Sequence, residues 1–222
     1  MQENEGSLHI VITGVGRGIG RAMAIAALAR GWKVSGTVRQ LGDAPRGAEE
    51  LLADMRDRNR LLAIGAQLGP VDVLINNAGV IGPDRQTTLD MDYDGFAETL
   101  LVNTLAPLAM AQAVLPKMPG GGRILTISSQ MAWMGYAKSD RMAYRASKSA
   151  VNKVMQGLAT DLRDRQIAVA LIDPGWVRTD MGGTEADEDA AQVARGILDI
   201  DGTLDMARTG HFLRWTGEER GF

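Results

Sequence analysis

The chain has 222 residues, 45% of them apolar and 23% charged, which suits one well-buried domain of ordinary globular composition. A net charge of −3 gives no electrostatic footprint for nucleic acid or for an anionic membrane surface, so neither is expected as a partner. There is no cysteine, which excludes disulfides and thiol catalysis and fits a reducing, cytoplasmic setting.

The segment Met1 to Ser7 is polar and acidic; it reads as flexible and unlike a signal peptide. Leu8 to Thr13 (LHIVIT) is a β-rich run that enters a glycine loop, and Arg21 to Arg30 is an Ala-rich helix stopped by Gly31. Its apolar part, Ala22 to Ala29, is the longest apolar stretch and is too short to span a bilayer. Lys33 to Val38 and Glu49 to Met55 read as strands, followed by a helix over Arg58 to Leu68. Val71 to Ile75 is the fourth strand. Asp92 to Met118 is helical, with breaks expected near Pro107 and Pro116. Arg123 to Ser128 is a strand, Tyr144 to Arg163 a helix, and Ile167 to Ile172 a strand. Asp187 to Leu198 is a helix and His211 to Trp215 the last strand. Short, nearly continuous apolar strands that alternate with helices predict an α/β doubly wound parallel sheet of Rossmann type, in a single domain over 1–222.

Ligands of such sheets bind at the carboxyl ends of the strands, and the suggestive residues fall there. Thr13-Gly14-Val15-Gly16-Arg17-Gly18-Ile19-Gly20 joins the first strand to the first helix. Glycines allow a tight turn and close approach to a pyrophosphate, and the helix N-terminus offers N–H groups and a positive dipole end. Asn76-Asn77-Ala78-Gly79 follows the fourth strand and Ser128-Ser129 the fifth. Read alone, the first is an ordinary turn and the second a loop-starting serine pair. Asn103 is a mild anomaly in mid-helix. Asp173-Pro174-Gly175-Trp176-Val177-Arg178-Thr179-Asp180 follows the sixth strand. Tyr144 and Lys148 stand four apart, which puts phenol and ammonium on one helical face. A phenol has an ordinary pKa of about 10, and a nearby cation favours the phenolate. No His/Asp/Glu group has metal-ligand spacing, and no serine stands in a G-x-S-x-G elbow.

Taken in order, TGVGRGIG, NNAG, the helical Asn, ISS, YRASK and PGWVRTDM resemble the short-chain dehydrogenase/reductase family over nearly the whole chain. The stretch from Ser128 to Gly183 is most similar to its C-factor/sniffer-like group. The resemblance implies an NAD(P)-dependent oxidoreductase that interconverts an alcohol and a carbonyl. Tyr144 would be the general acid in reduction, and Lys148 would depress its pKa and hold the nicotinamide ribose. Ser129 would orient the carbonyl, with Ser128 as the alternative. Asn103 would hold a water that links Lys148 to solvent. Gly14, Gly18 and Gly20 would shape the pyrophosphate turn, flanked by Thr13 and Ile19. Asn77, Ala78 and Gly79 would line the cofactor cleft, and Pro174, Gly175, Val177 and Thr179 would hold the carboxamide side. A homodimer or homotetramer is expected, with Ala106, Ala109, Ala111 and Ala113 allowing close approach of helices between subunits.

Two departures stand out. Only Gln40 to Ala48 separates the second and third strands, so the crossover helix is expected to be shortened or missing. The third strand is placed by Asp54-Met55-Arg56-Asp57, which puts Asp54 against the adenine. Ser129 also lies 15 residues before Tyr144, which implies an enlarged loop.

NADP is expected over NAD, with NAD possible. An acid at the end of the second strand would accept from a ribose 2′-OH; Val38 is there instead, followed by Arg39. Arg39 and Arg17 both suit a 2′-phosphate. The substrate pocket is expected to be apolar, built from Met131, Trp133, Met134, Tyr136, Trp176 and Met181, for a small ketone or aldehyde. The alternative is a non-catalytic dinucleotide-binding protein used in signalling or redox sensing; the presence of both Tyr144 and Lys148 favours the enzyme.

Overall fold

A computed structural model describes residues 7–222. The start read as flexible lies outside the described residues, apart from Ser7, whose hydroxyl donates to the carbonyl of Gly31.

Eight strands form one sheet in the order β3-β2-β1-β4-β5-β6-β7-β8. They are β1 (His9–Ile12), β2 (Lys33–Val38), β3 (Glu49–Leu52), β4 (Val73–Asn76), β5 (Arg123–Ile127), β6 (Ala168–Asp173), β7 (Phe212–Arg214) and β8 (Glu219–Arg220). Seven run parallel; β8 alone is antiparallel, against β7. Among the described residues the α-helices are α1 (Gly18–Ala29), α2 (Arg58–Gln67), α3 (Tyr93–Leu100), α4 (Ala106–Val114), α5 (Met142–Asp161) and α6 (Ala190–Thr203).

Alternate side chains of the strands feed two cores, as both faces of a parallel sheet must be covered. Along β1, Ile10 and Ile12 enter the core under α1 and α6, while Val11 enters the one under α2, α4 and α5. Aspartates begin three helices. Asp57, Asp92 and Asp189 accept the first free N–H groups of α2, α3 and α6. The start of α1, at Arg17, has no side-chain cap, so its N–H groups stay available.

Several boundaries differ from the sequence reading. β3 stops at Leu52, so Asp54 lies beyond its end. The stretch expected to break at Pro107 continues through a π-helical turn, Leu101–Leu105, into α4, where Pro107 falls in the first turn. Pro116 belongs to a short 3-10 turn, Leu115–Lys117. The whole helix Tyr93–Lys117 has a mean hydropathy of 1.4 over its most apolar window and is long enough to cross a membrane by composition. Here 61% of that window is buried within the fold. Ala106, Ala109, Ala111 and Ala113 lie in that interior, which corrects their expected place between subunits. A Cβ on Gly65 of α2 would stand 2.1 Å from the Ala113 carbonyl oxygen, so Ala113 serves a close α2–α4 contact. β8 was not foreseen, because two residues after a tight turn carry no periodicity.

The crossover between β2 and β3 has no helix. The Glu50 carboxylate accepts from the Gly42 and Ala44 amides at 2.8–2.9 Å, curling the short connection back on itself. Arg21 of α1 donates to the Asp43 carbonyl at 2.8 Å. Ala44 and Ala48 thereby cover the core beside α1, while Leu52 on the edge strand stays 41% exposed.

Candidate active site

The segments that follow β1, β2, β3, β4, β5 and β6 converge on one cleft of about 910 Å³, at the upper end of the range for ligand sites. Gly14 and Gly18 take φ values of 76° and 56°, which only glycine adopts readily. A Cβ on Gly20 would stand 2.1 Å from the Gly14 carbonyl oxygen, so the turn and the start of α1 touch with no side chain between them. Ile19 lies on the same wall. Thr13 is buried, and its hydroxyl accepts from the Asn77 and Ala78 amides at 2.9 Å. The Asn77 side chain donates to the carbonyls of Thr13 and Gly14 at 2.9 and 3.2 Å. The loop after β4 is therefore tied to the loop after β1, and Asn77, Ala78 and Gly79 all line the cleft. Asn76 ties β4 to its neighbours by donating to Thr126 and to the Pro107 carbonyl.

Tyr144 and Lys148 are buried in α5. The Lys148 ammonium lies 5.7 Å from the Tyr144 ring centre and donates to the Ile127 carbonyl at 2.7 Å. Burial pushes Tyr144 up to about 12, and the charge of Asp173 acts in the same direction; the Ser129 hydroxyl and Arg141 pull it back. Burial also pushes Lys148 down to about 8. Burial sets the direction for both groups in this low-dielectric setting, the phenol upward and the ammonium downward. At neutral pH the phenol keeps its proton.

The serine pair separates cleanly. Ser129 lines the cleft with Tyr144, whose pKa it lowers, and its oxygen accepts from the Met131 amide at 3.1 Å. Ser128 faces inward and donates to the Asn152 amide oxygen at 2.5 Å. The enlarged loop between Ser129 and Tyr144 begins with a 3-10 turn, Gln130–Ala132, and ends at Arg141, a non-glycine at φ 52°. Gln86, which the sequence reading passed over, secures the start of α5: its carbonyl accepts from the Met142 amide at 2.9 Å and its side chain from the Tyr144 amide at 3.3 Å. An isolated Gln carries no sequence signal for such a cap.

Asn103 occupies the π-helical turn, which accounts for an Asn in mid-helix. Its side chain accepts from the Val80 amide at 2.9 Å and donates to the Val80 carbonyl and the Ser147 hydroxyl at 2.8 and 3.0 Å. The side chain of Asn103 thus fixes the loop after β4. A Cβ on Gly79 would stand 3.1 Å from the Asn103 amide oxygen and 3.7 Å from the Lys148 nitrogen, so these three residues meet.

At the other end, Arg39 lines the cleft and makes no side-chain hydrogen bond or ion pair among the described residues. Asp54 also lines it, held by Arg56 through paired contacts that lower its pKa. Arg17, expected to face a phosphate freely, is paired with Asp180 at 3.0 Å. Asp43 was missed by the sequence reading. It comes from the shortened connection, and its Cβ lies 3.3 Å from where a Cβ on Gly16 would stand. Pro174, Gly175, Val177 and Thr179 form the wall after β6, and Gly18 approaches the Thr179 methyl. Of the expected apolar lining, Met131, Trp176 and Met181 face the cleft. Trp133 and Tyr136 instead pack edge to face outside it, and Met134 is 81% exposed. Asp140, Arg141 and Arg145 also line the cleft, so its mouth is mixed in character.

Residues 8–190 match the profile of the short chain dehydrogenase family. The chain belongs to that family. C-signal of Myxococcus xanthus is 39% identical over 164 residues, which is 72% of this chain and 98% of that protein. The carbonyl reductase Sniffer of D. melanogaster superposes with a TM-score of 0.88 at 26% identity, covering 98% of this chain and 100% of its own. The NADPH-bound carbonyl reductase from chicken fatty liver superposes with a TM-score of 0.87 at 25% identity, over 97% of this chain and 99% of its own. The resemblance to the C-factor/sniffer-like group is borne out by the first two relatives. As a short-chain dehydrogenase, the protein is an oxidoreductase.

Proposed function

We propose that the protein is an NADP(H)-dependent carbonyl reductase, run in reverse as an alcohol dehydrogenase, acting on a small, largely apolar ketone or aldehyde. The observation that carries this reading is the meeting of Ser129, the protonated Tyr144 phenol and the buried Lys148 at one end of a cleft whose other end is a glycine cradle. The cradle has the shape a dinucleotide needs: it has no Cβ at Gly14, Gly18 or Gly20, and the start of α1 is uncapped. When bound, the dinucleotide supplies the hydride.

Ser129 holds the carbonyl oxygen against the Tyr144 hydroxyl. Tyr144 would pass its proton to that oxygen as the general acid of the reduction. Lys148, fixed by the Ile127 carbonyl, would set a cation beside the phenolate that results and would hold the ribose of a bound dinucleotide. Asn103 positions the Val80 end of the wall. Thr13, Ile19, Asn77, Ala78, Gly79 and Asp54 would hold the nucleotide, and Pro174, Gly175, Val177 and Thr179 its carboxamide side. Arg39 meets the 2′-phosphate, with Arg17 beside it. The NADPH named with the chicken enzyme supports this choice of cofactor. Met131, Trp176 and Met181 support an apolar body for the substrate. The whole chain works as one dinucleotide-binding domain, in the cytoplasm, as a homodimer or homotetramer. Light scattering that gives a lone 23.8 kDa particle at micromolar concentration overturns the assembly.

The test is incubation with NADPH and a panel of aldehydes and ketones, following loss of nicotinamide absorbance. Turnover that is abolished in Tyr144→Phe supports the reading. Absence of turnover with the whole panel, or better turnover of charged, sugar-like carbonyls, counts against it.

A further inference from the structure

Asp173 ends β6 and is 1% exposed, outside the set of residues the reaction calls for. One of its carboxylate oxygens accepts from two backbone amides, Gln130 at 3.1 Å and Gly175 at 3.0 Å. Gln130 immediately follows Ser129, and Gly175 turns the wall after β6 at φ 75°. A single oxygen thus joins the serine loop to the carboxamide wall. The other oxygen faces Arg220 of β8 at 3.0 Å, in a pair whose side chains are 2% and 26% exposed. β8 is placed by antiparallel pairing, with Arg220 opposite Phe212, and the Trp215 amide of the same hairpin donates to the Asp173 carbonyl at 2.9 Å. Gly221, next along, comes near the Trp133 indole in the loop after Ser129.

Two amide hydrogen bonds and one ion pair compensate this buried carboxylate. Without the guanidinium, that carboxylate would be a buried, half-compensated charge, which is strongly unfavourable. It would either draw in water or swing away from the two amides.

We infer that Arg220, on the terminal hairpin and remote from the reacting atoms, is a positioning residue of the active site: it locks Asp173, and through Asp173 it fixes Ser129 and the wall at Gly175 relative to Tyr144. This rests on the reading proposed above. Arg220 also balances an anion that Tyr144 feels. Asp173 from the end of β6 raises the phenol, Arg141 at the start of α5 lowers it, and Lys148 stands one turn further on. Asp140 and Arg145 pair with each other, and Glu98 of α3 is taken up by Arg56, which leaves the Asp173–Arg220 pair as the adjustable charge.

The experiment compares wild type with Arg220→Met, Arg220→Lys, Asp173→Asn and the double variant Asp173→Asn/Arg220→Met. Tyrosinate absorbance is titrated in each, with and without Tyr144→Phe, so that Tyr144 alone is read and no substrate is needed. Removing the cation should move the Tyr144 titration up by about half a pH unit, and removing the anion should move it down by a similar amount. The double variant should return close to wild type, since its neutral amide keeps the oxygen that Gln130 and Gly175 share. Arg220→Lys should stay close to wild type. With a working substrate, kcat should fall about tenfold in Arg220→Met with KM little changed, and the pH profile of kcat/KM should move in the same direction as the titration. Superposable titrations in all variants, or equal shifts in one direction, overturn the inference. A wild-type protein without carbonyl turnover overturns the proposed function instead, and the titrations still decide the role of Arg220.

Discussion

Ser128 and Asn152 bond to each other inside the protein at 2.5 Å, while the next residue, Ser129, turns outward into the cleft that Tyr144 also lines. Consecutive residues of an extended chain point to opposite sides, so only one of the two hydroxyls can serve the cleft. Ser129→Ala is expected to lower kcat/KM by ~10²-fold, as loss of a polar group aimed at the reacting oxygen does. Ser128→Ala is expected to lower the melting temperature and leave kcat within a few-fold of wild type. Steady-state kinetics and thermal melts of both variants check this; equal kinetic losses would defeat the assignment.

Tyr144→Phe removes one oxygen from a buried ring and should leave the fold and NADPH binding intact. Loss of general acid catalysis should cost ~10²–10⁴ in kcat. Cofactor affinity by fluorescence titration and turnover with the same sample separate the two effects. Activity within about tenfold of wild type would end the role given to Tyr144.

The cofactor end carries both signs of charge. Arg39 is unpaired among the described residues and Asp43 faces the neighbouring glycine loop. Arg39→Ala should reduce the NADPH/NADH ratio of kcat/KM about tenfold or more, since a phosphate loses its charged partner. Asp43→Asn should raise the same ratio, because one anion near a 2′-phosphate is removed. A wild-type preference for NADH, or ratios unmoved in both variants, contradicts the NADP assignment.

Lys148 is held down to about 8 from 10.5 by burial, so the folded protein binds fewer protons there than the unfolded chain. Stability should therefore rise with pH between about 8 and 10.5, and this contribution is lost as pH falls through the lower value. Tyr144 works the other way: raised from 10 to about 12, it makes stability fall as pH rises across that interval. Lys148→Met should flatten the rise at the lower alkaline range and leave the fall above it. Denaturant unfolding across alkaline pH measures both slopes. A Lys148→Met profile parallel to wild type would show that the ammonium is not desolvated as described.

Most of the sheet was legible because buried parallel strands such as HIVI and VLIN leave unbroken apolar runs, and because glycine turns mark where they end. Tyr144, Lys148, the glycine loop and the missing crossover helix were legible from local spacing. Other features were not, because they depend on residues distant in sequence. Asn103 read only as a mild anomaly in mid-helix, and its partner Val80 lies 23 positions away. The alanines of α4 looked like a surface stripe until α2 packed on them. Asp43 became part of the cleft only once Glu50 curled its connection inward. The pKa of Tyr144 followed burial, which spacing along a helix does not reveal.

The π-helical turn at Leu101–Leu105 has a consequence for how this protein can change. It carries one residue more than an α-helical turn would need, so α3 and α4 are out of phase with each other. Deleting that residue would let Tyr93–Lys117 wind as a regular α-helix. It would also rotate one half by about 100° against the other. Either Asn103 would leave Val80, or Ala109 and Ala113 would leave α2. The helix cannot be regularised without giving up one of the two, so a shorter version of this segment would need a compensating change in the loop after β4.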